Sequence, residues 1–258
     1  MSRRRSVHGV WLGRRRYEPV HALQQALQRA RQERAIGDTV LLLEHDPVIT
    51  LGRGAHPENI LAPRELLEAA RVDLVETGRG GDVTLHAPGQ LVCYPIVDLS
   101  PDRCDVRRYV GDLMETMRGL ARRHGIDAGP VPELIGLWVD RSNLDHFSAQ
   151  ADALALAKLG AIGVKISRWV TLHGFAFNLT TDLELYGMIV PCGIREHGVT
   201  SVEALTGARP PVVDEAELAL ELLAQRLDAH VASYDDWSGE AELEAKFGLD
   251  SPRLAHSE

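Results

Sequence analysis

Apolar side chains recur along this chain with two different periods. In VHALQQALQRARQERA (20–35) they fall at 20, 23, 27 and 30 with polar residues between, and Gly37 closes the run. That is the spacing of one helix face. Residues 106–123 repeat it at 106, 109, 110, 113, 117 and 120 and end at Gly125, with Ser100-Pro101 punctuating the approach. A further amphipathic helix is predicted from Asp214 to about Val231, with Asp214 and Glu217 as cap residues. Thr200-Ser201-Val202-Glu203 fits a capping box for a short helix. Between these lie short apolar runs that read as strands: 39–43 (TVLLL), 47–51 (PVITL), 134–139 (LIGLWV), GAIGVKI and WVTLHGFAFNL. VDLVETGRGG reads as a strand entering a glycine turn, and DVTLHAPGQLVCYPIVDL as strands interrupted at Pro88-Gly89. The stretch 140–157 is polar at first and then Ala/Leu-rich, an irregular insertion predicted to turn helical toward its end.

Several strands follow one another through short turns, without the regular alternation of a doubly wound fold. The pattern therefore predicts an α/β (α+β) architecture: a mixed, largely antiparallel sheet flanked by helices. One domain is expected over 1–237, with a polar, fraying tail over 238–258. There is no internal repeat and no long linker.

Composition narrows the function classes. The chain has 258 residues and a formal charge of −9, which argues against non-specific nucleic-acid binding. No apolar run approaches the roughly 18 residues of a spanning helix, so no membrane partner is expected. Three cysteines are too few for a disulfide framework and suit a reducing compartment. The basic start, Met1 to Arg5, leads into a stretch too short and too polar for a signal peptide, so a cytoplasmic location is expected. Positive charge is carried almost wholly by arginine. Lys158, Lys165 and Lys246 are the three lysines, and a lysine, unlike an arginine, can give up its proton.

Four places carry candidate chemistry. Arg79-Gly80-Gly81-Asp82-Val83-Thr84-Leu85-His86 combines glycines, which allow close backbone approach, with polar side chains. It is neither a dinucleotide fingerprint nor a Walker loop, and it could equally be a plain turn between strands. Cys192 stands between Pro191 and Gly193 in a loop. It reads either as a thiolate nucleophile beside free N–H groups or as a small buried thiol. Lys158 leads into a run of small apolar residues and reads either as a surface lysine or as a buried cation beside a thiol. His86 and His173 each follow a VTLH run, and each could be a base or a structural residue. Cys93 lies in an apolar strand context and Cys104 near a helix start; neither reads as reactive. No metal spacing is present and no cofactor is expected.

Four stretches in order resemble one family, the octanoyltransferases of lipoate synthesis. They are LLLEHDPVITLGR (41–53), RGGDVTLHAPGQLVCYPIVDL (79–99), KLGAIGVKISRWVTLHGFAFNL (158–179) and IVPCGIREHGVTSV (189–202). The resemblance implies the fold shared with biotin and lipoate protein ligases. It implies transfer of an octanoyl group from octanoyl-acyl carrier protein to a lysine of a lipoyl domain, in 2-oxoacid dehydrogenase complexes or the glycine cleavage H protein. On this resemblance Cys192 looks like the acyl-thioester nucleophile and Lys158 like the lysine that activates it. Arg79 to His86 looks like the first substrate-binding segment, Ala161-Ile162-Gly163 the second and Gly174-Phe175-Ala176 the third. The chain departs from the family at Leu85 and Ala87, where a tyrosine and a glycine are usual, and in the length of 140–157. Lys165 is the competitor to Lys158. Arg53, Arg79 and Arg168, in or beside these motifs, are candidates for receiving an acidic carrier protein. Two rival readings remain: an ATP-dependent lipoate or biotin ligase, and a non-catalytic binding protein on the same fold.

Overall fold

A computed structural model describes residues 5–190 and 197–239. In chain order these form β1 (Arg5–Arg15), α1 (Tyr17–Gln32), β2 (Asp38–His45), β3 (Val48–Leu51), α2 (Arg64–Ala69), β4 (Asp73–Glu76), β5 (Val83–His86) and β6 (Gln90–Ile96). There follow α3 (Val106–Arg123), β7 (Gly129–Val131), β8 (Leu134–Asp140), β9 (Leu156–Ser167), β10 (Val170–Asn178), β11 (Gly198–Val199), α4 (Val202–Thr206), α5 (Val212–Arg226) and β12 (Ala229–Asp236).

The main sheet runs β12-β1-β2-β6-β10-β9-β8-β7, with β11 beside β9. β12–β1 and β1–β2 are parallel; the pairs from β2 through β7 are antiparallel. The mixed, largely antiparallel sheet expected from the sequence is what the chain forms. Both faces are covered, so central strands are apolar on every residue and not on alternate ones. On β2, Val40 and Leu42 enter the layer under α3 and α5, while Leu41 and Leu43 enter the layer under α1. On β10, Phe175 and Phe177 go to the first layer and Leu172 and Ala176 to the second.

A separate three-stranded sheet, β4-β3-β5, packs on its own small core of Ile49, Leu67, Val72, Val83, Leu85, Ala87 and Ile189. This second sheet supplies one wall of the site.

Helix α1 is fixed by more than its apolar stripe. Gln24, Gln28 and Gln32 share one face at intervals of four. The Gln24 side chain accepts from the His173 N–H at 3.0 Å. Gln28 and Gln32 donate to the carbonyls of Val170 and Ser167 at 2.9 Å each. The helix is thereby stitched to the hairpin of β9 and β10 in register.

Three expectations are corrected, and one strand is added. Residues 229–236 form β12, not the end of a helix. α5 stops at Arg226, and Asp228 at φ +54° turns the chain back along β1. The arginine-rich start of the described chain, for which the sequence predicted no element, is strand β1, between β12 and β2; Arg5 pairs with Asp38 at 3.0 Å and Arg14 with Asp46 at 2.7 Å. The end of the 140–157 stretch is turns and the start of β9, not helix. The cap of α4 is Ser201, whose hydroxyl accepts from Ala204 N–H at 3.1 Å, one residue later than the expected box. The tail beyond 239 lies outside the described residues.

Candidate active site

The two sheets meet along a seam, and a cavity of about 40 Å3 opens between them. Its lining gathers residues far apart in the chain: Tyr17, then Arg79, Gly81, Asp82, Thr84 and His86, then Tyr94, and finally Ala161–Gly163 and His173–Ala176. The last two groups are cross-strand partners. Ala161 faces Ala176, Ile162 faces Phe175 and Gly163 faces Gly174 across β9 and β10. Strand periodicity sorts the remaining residues of the first segment. Thr84 and His86 face the cavity, whereas Val83 and Leu85 turn into the small core. Gly80 does not line the cavity; its N–H donates to Val164 O at 2.9 Å and ties the turn to β9.

Two glycines are required by close approach. A Cβ on Gly174 would lie 2.1 Å from the Cys93 carbonyl oxygen on β6. One on Gly52 would lie 2.2 Å from the carbonyl of Gly81, which itself sits at φ +90°. Asp82 braces the same turn by accepting from the His56 and Val83 N–H groups at 3.0 and 2.8 Å.

Arg79 is only 6% exposed. Its Nε donates to Thr50 Oγ1 at 3.1 Å and its Nη2 to the Thr50 carbonyl at 2.6 Å. It therefore lines the inside of the site and is removed from the carrier-docking candidates. Arg53 and Arg168 are exposed.

The inner wall is a cluster of histidine and tyrosine rings with centroids 5.1–6.3 Å apart: Tyr17, His21, His45, His86, Tyr94 and His173. The carbonyl of Arg15 can only accept, so His45 carries its proton on Nδ1 and donates there at 3.0 Å. Its Nε2 then accepts from the Tyr94 hydroxyl at 3.0 Å. Gln90 spends its amide N–H groups on Leu85 O and Asn178 Oδ1, so its Oε1 accepts from His86 Nδ1 at 2.7 Å. His173 holds φ +60° and its buried Nε2 has no hydrogen-bond partner among the described residues.

Burial pushes His45 down to about 4 and His86 to about 3, with His45 itself adding to the shift of His86. Burial, then His21 and Arg79, push His173 down to about 3. At neutral pH these rings are uncharged, which suits a wall against an apolar ligand.

Lys158 lies three residues before Ala161 on β9 and is 5% exposed. A register shift decides where it points. Leu137 pairs with Gly160, yet Trp138 pairs with Lys158, so β9 carries one extra residue there. Gly160 faces Met117 of α3, since a Cβ on it would meet Met117 Sδ at 2.5 Å. Strict alternation would send Lys158 to that same side. The bulge turns it to the opposite face, re-aiming a side chain as bulges do beside functional sites. Its Nζ rests 4.8 Å from the Trp138 ring centroid. Lys165 belongs elsewhere, its amine standing over Gly78 in the glycine turn.

Cys192 lies outside the described residues. The chain on either side of its segment is fixed. Val190 N–H donates to Asn59 O at 2.7 Å, and Gly198 and Val199 pair with Ala157 and Lys158 through β11. The other thiols are accounted for. Cys93 is fully buried, and burial pushes its thiol far up. Cys104 is exposed, its Sγ 3.7 Å from the Leu99 carbonyl. Sequence reasoning did not single out Tyr17, His45, Tyr94, Trp138 or His197. Trp138 was hidden inside an apolar strand run, where an aromatic residue reads as core.

Residues 16–224 match the family described as the lipoyl protein ligase A/B catalytic domain. The chain belongs to that family. An octanoyltransferase of Solibacter usitatus is 42% identical over 226 residues, covering 88% of this chain and 91% of that protein. An octanoyltransferase of Myxococcus xanthus is 45% identical over 206 residues, 80% of this chain but 55% of the longer relative. The fold matches that of the bipartite lipoate protein ligase of Thermoplasma acidophilum, with a TM-score of 0.64, 15% identity and 95% of both chains covered. No group of three or more potential metal ligands occurs among the described residues. No described helix is long and apolar enough to cross a membrane.

Proposed function

We propose that this chain, an acyltransferase by its relatives, moves an octanoyl group from an acyl carrier protein thioester to a lysine of a lipoyl domain, through an acyl-thioester on Cys192. The observation that carries the reading is the placement of Lys158. A buried lysine, re-aimed by a bulge, pairs through its backbone with Val199 of β11, the strand that follows the segment carrying Cys192.

A free thiol titrates near ~8.5, so little is thiolate at neutral pH. A nearby ammonium favours the thiolate, and Lys158 supplies one. The Cys192 sulfur attacks the octanoyl carbonyl. The carbon–sulfur bond to the carrier's prosthetic thiol breaks, and that thiol leaves with a proton. One thioester replaces another of similar energy, so no ATP is consumed. The acceptor lysine nitrogen then attacks the Cys192 thioester, the carbon–sulfur bond breaks, and an amide forms. The amine sheds a proton in this step. Lys158, if it has passed its own proton to the departing carrier thiol, is the group that takes it. The apolar side chains of Ile162, Phe175 and Ala176 and the neutral ring wall form the bed for the octanoyl tail.

The rival ligase reading requires adenylate chemistry and predicts no transfer without ATP. The test is octanoylation of an isolated lipoyl domain, followed by mass spectrometry, with octanoyl carrier protein as donor and nucleotide removed by apyrase. Amide product is expected at full rate. Product only after ATP is restored would replace the transferase reading with the ligase one.

A further inference from the structure

We infer that Trp138 is a positioning residue for this transfer. Its indole face holds the Lys158 ammonium, and the ring is in turn fixed through His197 to the 141–155 excursion. The inference rests on the reading of Lys158 as the cation of the reaction.

Four observations carry it. Nζ of Lys158 lies 4.8 Å from the Trp138 ring centroid, inside the range in which a ring face attracts a cation. Both residues are nearly inaccessible, at 5% and 1% exposure, and burial strengthens such a contact. The ring cannot turn freely: its Nε1–H donates to the Leu134 carbonyl at 3.1 Å. His197 packs edge-on against it, with centroids 5.4 Å apart and planes at 73°. The His197 Nδ1–H donates to Ala153 O at 2.7 Å. Finally, Gly136, two residues before Trp138, stands at φ +134°, and a Cβ there would press on Lys158 Cε at 3.3 Å and Gly160 O at 2.6 Å. The strand leaves room for the lysine stem and supplies the aromatic face that receives its head.

The chemistry favours a ring here over a carboxylate. A carboxylate would neutralise the ammonium, whereas a π face stabilises the charge without cancelling it. The excursion then has a part in the site: through Ala153 and His197 it sets the plane of Trp138.

Three lysines in the whole chain make the contact directly observable. Lysine-selective 13C labelling of the full protein gives three Cε–Hε signals, assigned by Lys→Arg variants. A methylene held over an indole face is displaced upfield by the ring current, and the Lys158 signal is expected to be so displaced. A Lys158 signal at the position of a solvated lysine would overturn the inference. Function is tested by placing tryptophan analogues of increasing fluorine content at position 138 alone, which drains the ring face with little change of shape. Turnover is expected to fall stepwise, by about two- to fivefold in total, with KM for the donor unchanged. A flat series would overturn the positioning role even if the signal is displaced. Full transfer by Lys158→Ala would instead remove the reading on which the inference stands.

Discussion

At the scale of single residues, the account turns on two lysines and a few glycines. Lys158→Arg keeps a charge near the face of Trp138 but cannot accept a proton from the incoming amine. It is expected to retain much of the Cys192 reactivity toward iodoacetamide while losing transfer by about two orders of magnitude or more. Lys158→Ala is expected to lose both. Native alkylation should also label exposed Cys104 and spare Cys93, whose thiol burial holds protonated, so peptide mapping separates the three sites. If Lys158→Ala alkylates and transfers like the parent protein, Lys165 over the glycine turn becomes the candidate. Gly174→Ala drives a Cβ into the Cys93 carbonyl at 2.1 Å. Overpacking of this kind costs about 1–3 kcal/mol, and a urea midpoint lowered accordingly is expected, with transfer lost in parallel. Lys158 stood out in the sequence because arginine carries nearly all other positive charge. Its orientation could not be read there. The bulge that turns it is a relation between β8 and β9, and strand alternation alone points it the wrong way.

At the scale of elements, the ring cluster links five: α1 through Tyr17 and His21, β2 through His45, β5 through His86, β6 through Tyr94, and β10 through His173. The sequence offered His86 and His173 one at a time. Their convergence with His45 arises because β2 and β6 are neighbours in the main sheet while β5 belongs to the small one. Burial sets the pH behaviour of the cluster. His45, His86 and His173 titrate at about 4, 3 and 3 in the folded protein, against about 6.5 unfolded. Below pH 6.5 the unfolded chain therefore binds more protons than the native one, and stability falls as pH falls. The loss is up to about 1.4 kcal/mol per pH unit for each histidine, in the window between 6.5 and about 4. Urea midpoints measured across that window should decline, and His45→Gln should flatten the slope. A slope unchanged by His45→Gln would mean that this ring is not kept neutral by burial. The core strands and helices α1 and α3 were legible because their periodicity is strong. β1 and β12 were not. Both carry charged residues at their ends; β12 is the edge strand and β1 its neighbour, and their parallel pairing comes from distant chain and not from a local turn.

At the scale of the whole molecule, the sheets divide the labour. The main sheet and its two helical layers make a rigid frame; the small sheet closes over it and forms the seam. If the donor is an acidic carrier protein, as proposed, this acidic chain should receive it through exposed arginines near the seam. Arg53→Glu is expected to slow association with octanoyl carrier protein and flatten its salt dependence, read by stopped-flow kinetics. A rate unchanged across the salt series would place docking elsewhere. The family was legible in the sequence through four ordered motifs. The cavity was not, since its walls come from residues 17 to 176 and exist only once the two sheets have met.

The central claim is that the octanoyl group rests covalently on Cys192 between donor and acceptor. Intact-mass spectrometry of the protein after brief incubation with octanoyl carrier protein, without acceptor, tests it most directly. One octanoyl group per chain is expected, mapped by peptide digestion to Cys192, absent in Cys192→Ala, and discharged when a lipoyl domain is added. Transfer that persists in Cys192→Ala, or an adduct confined to Cys104, would contradict the account.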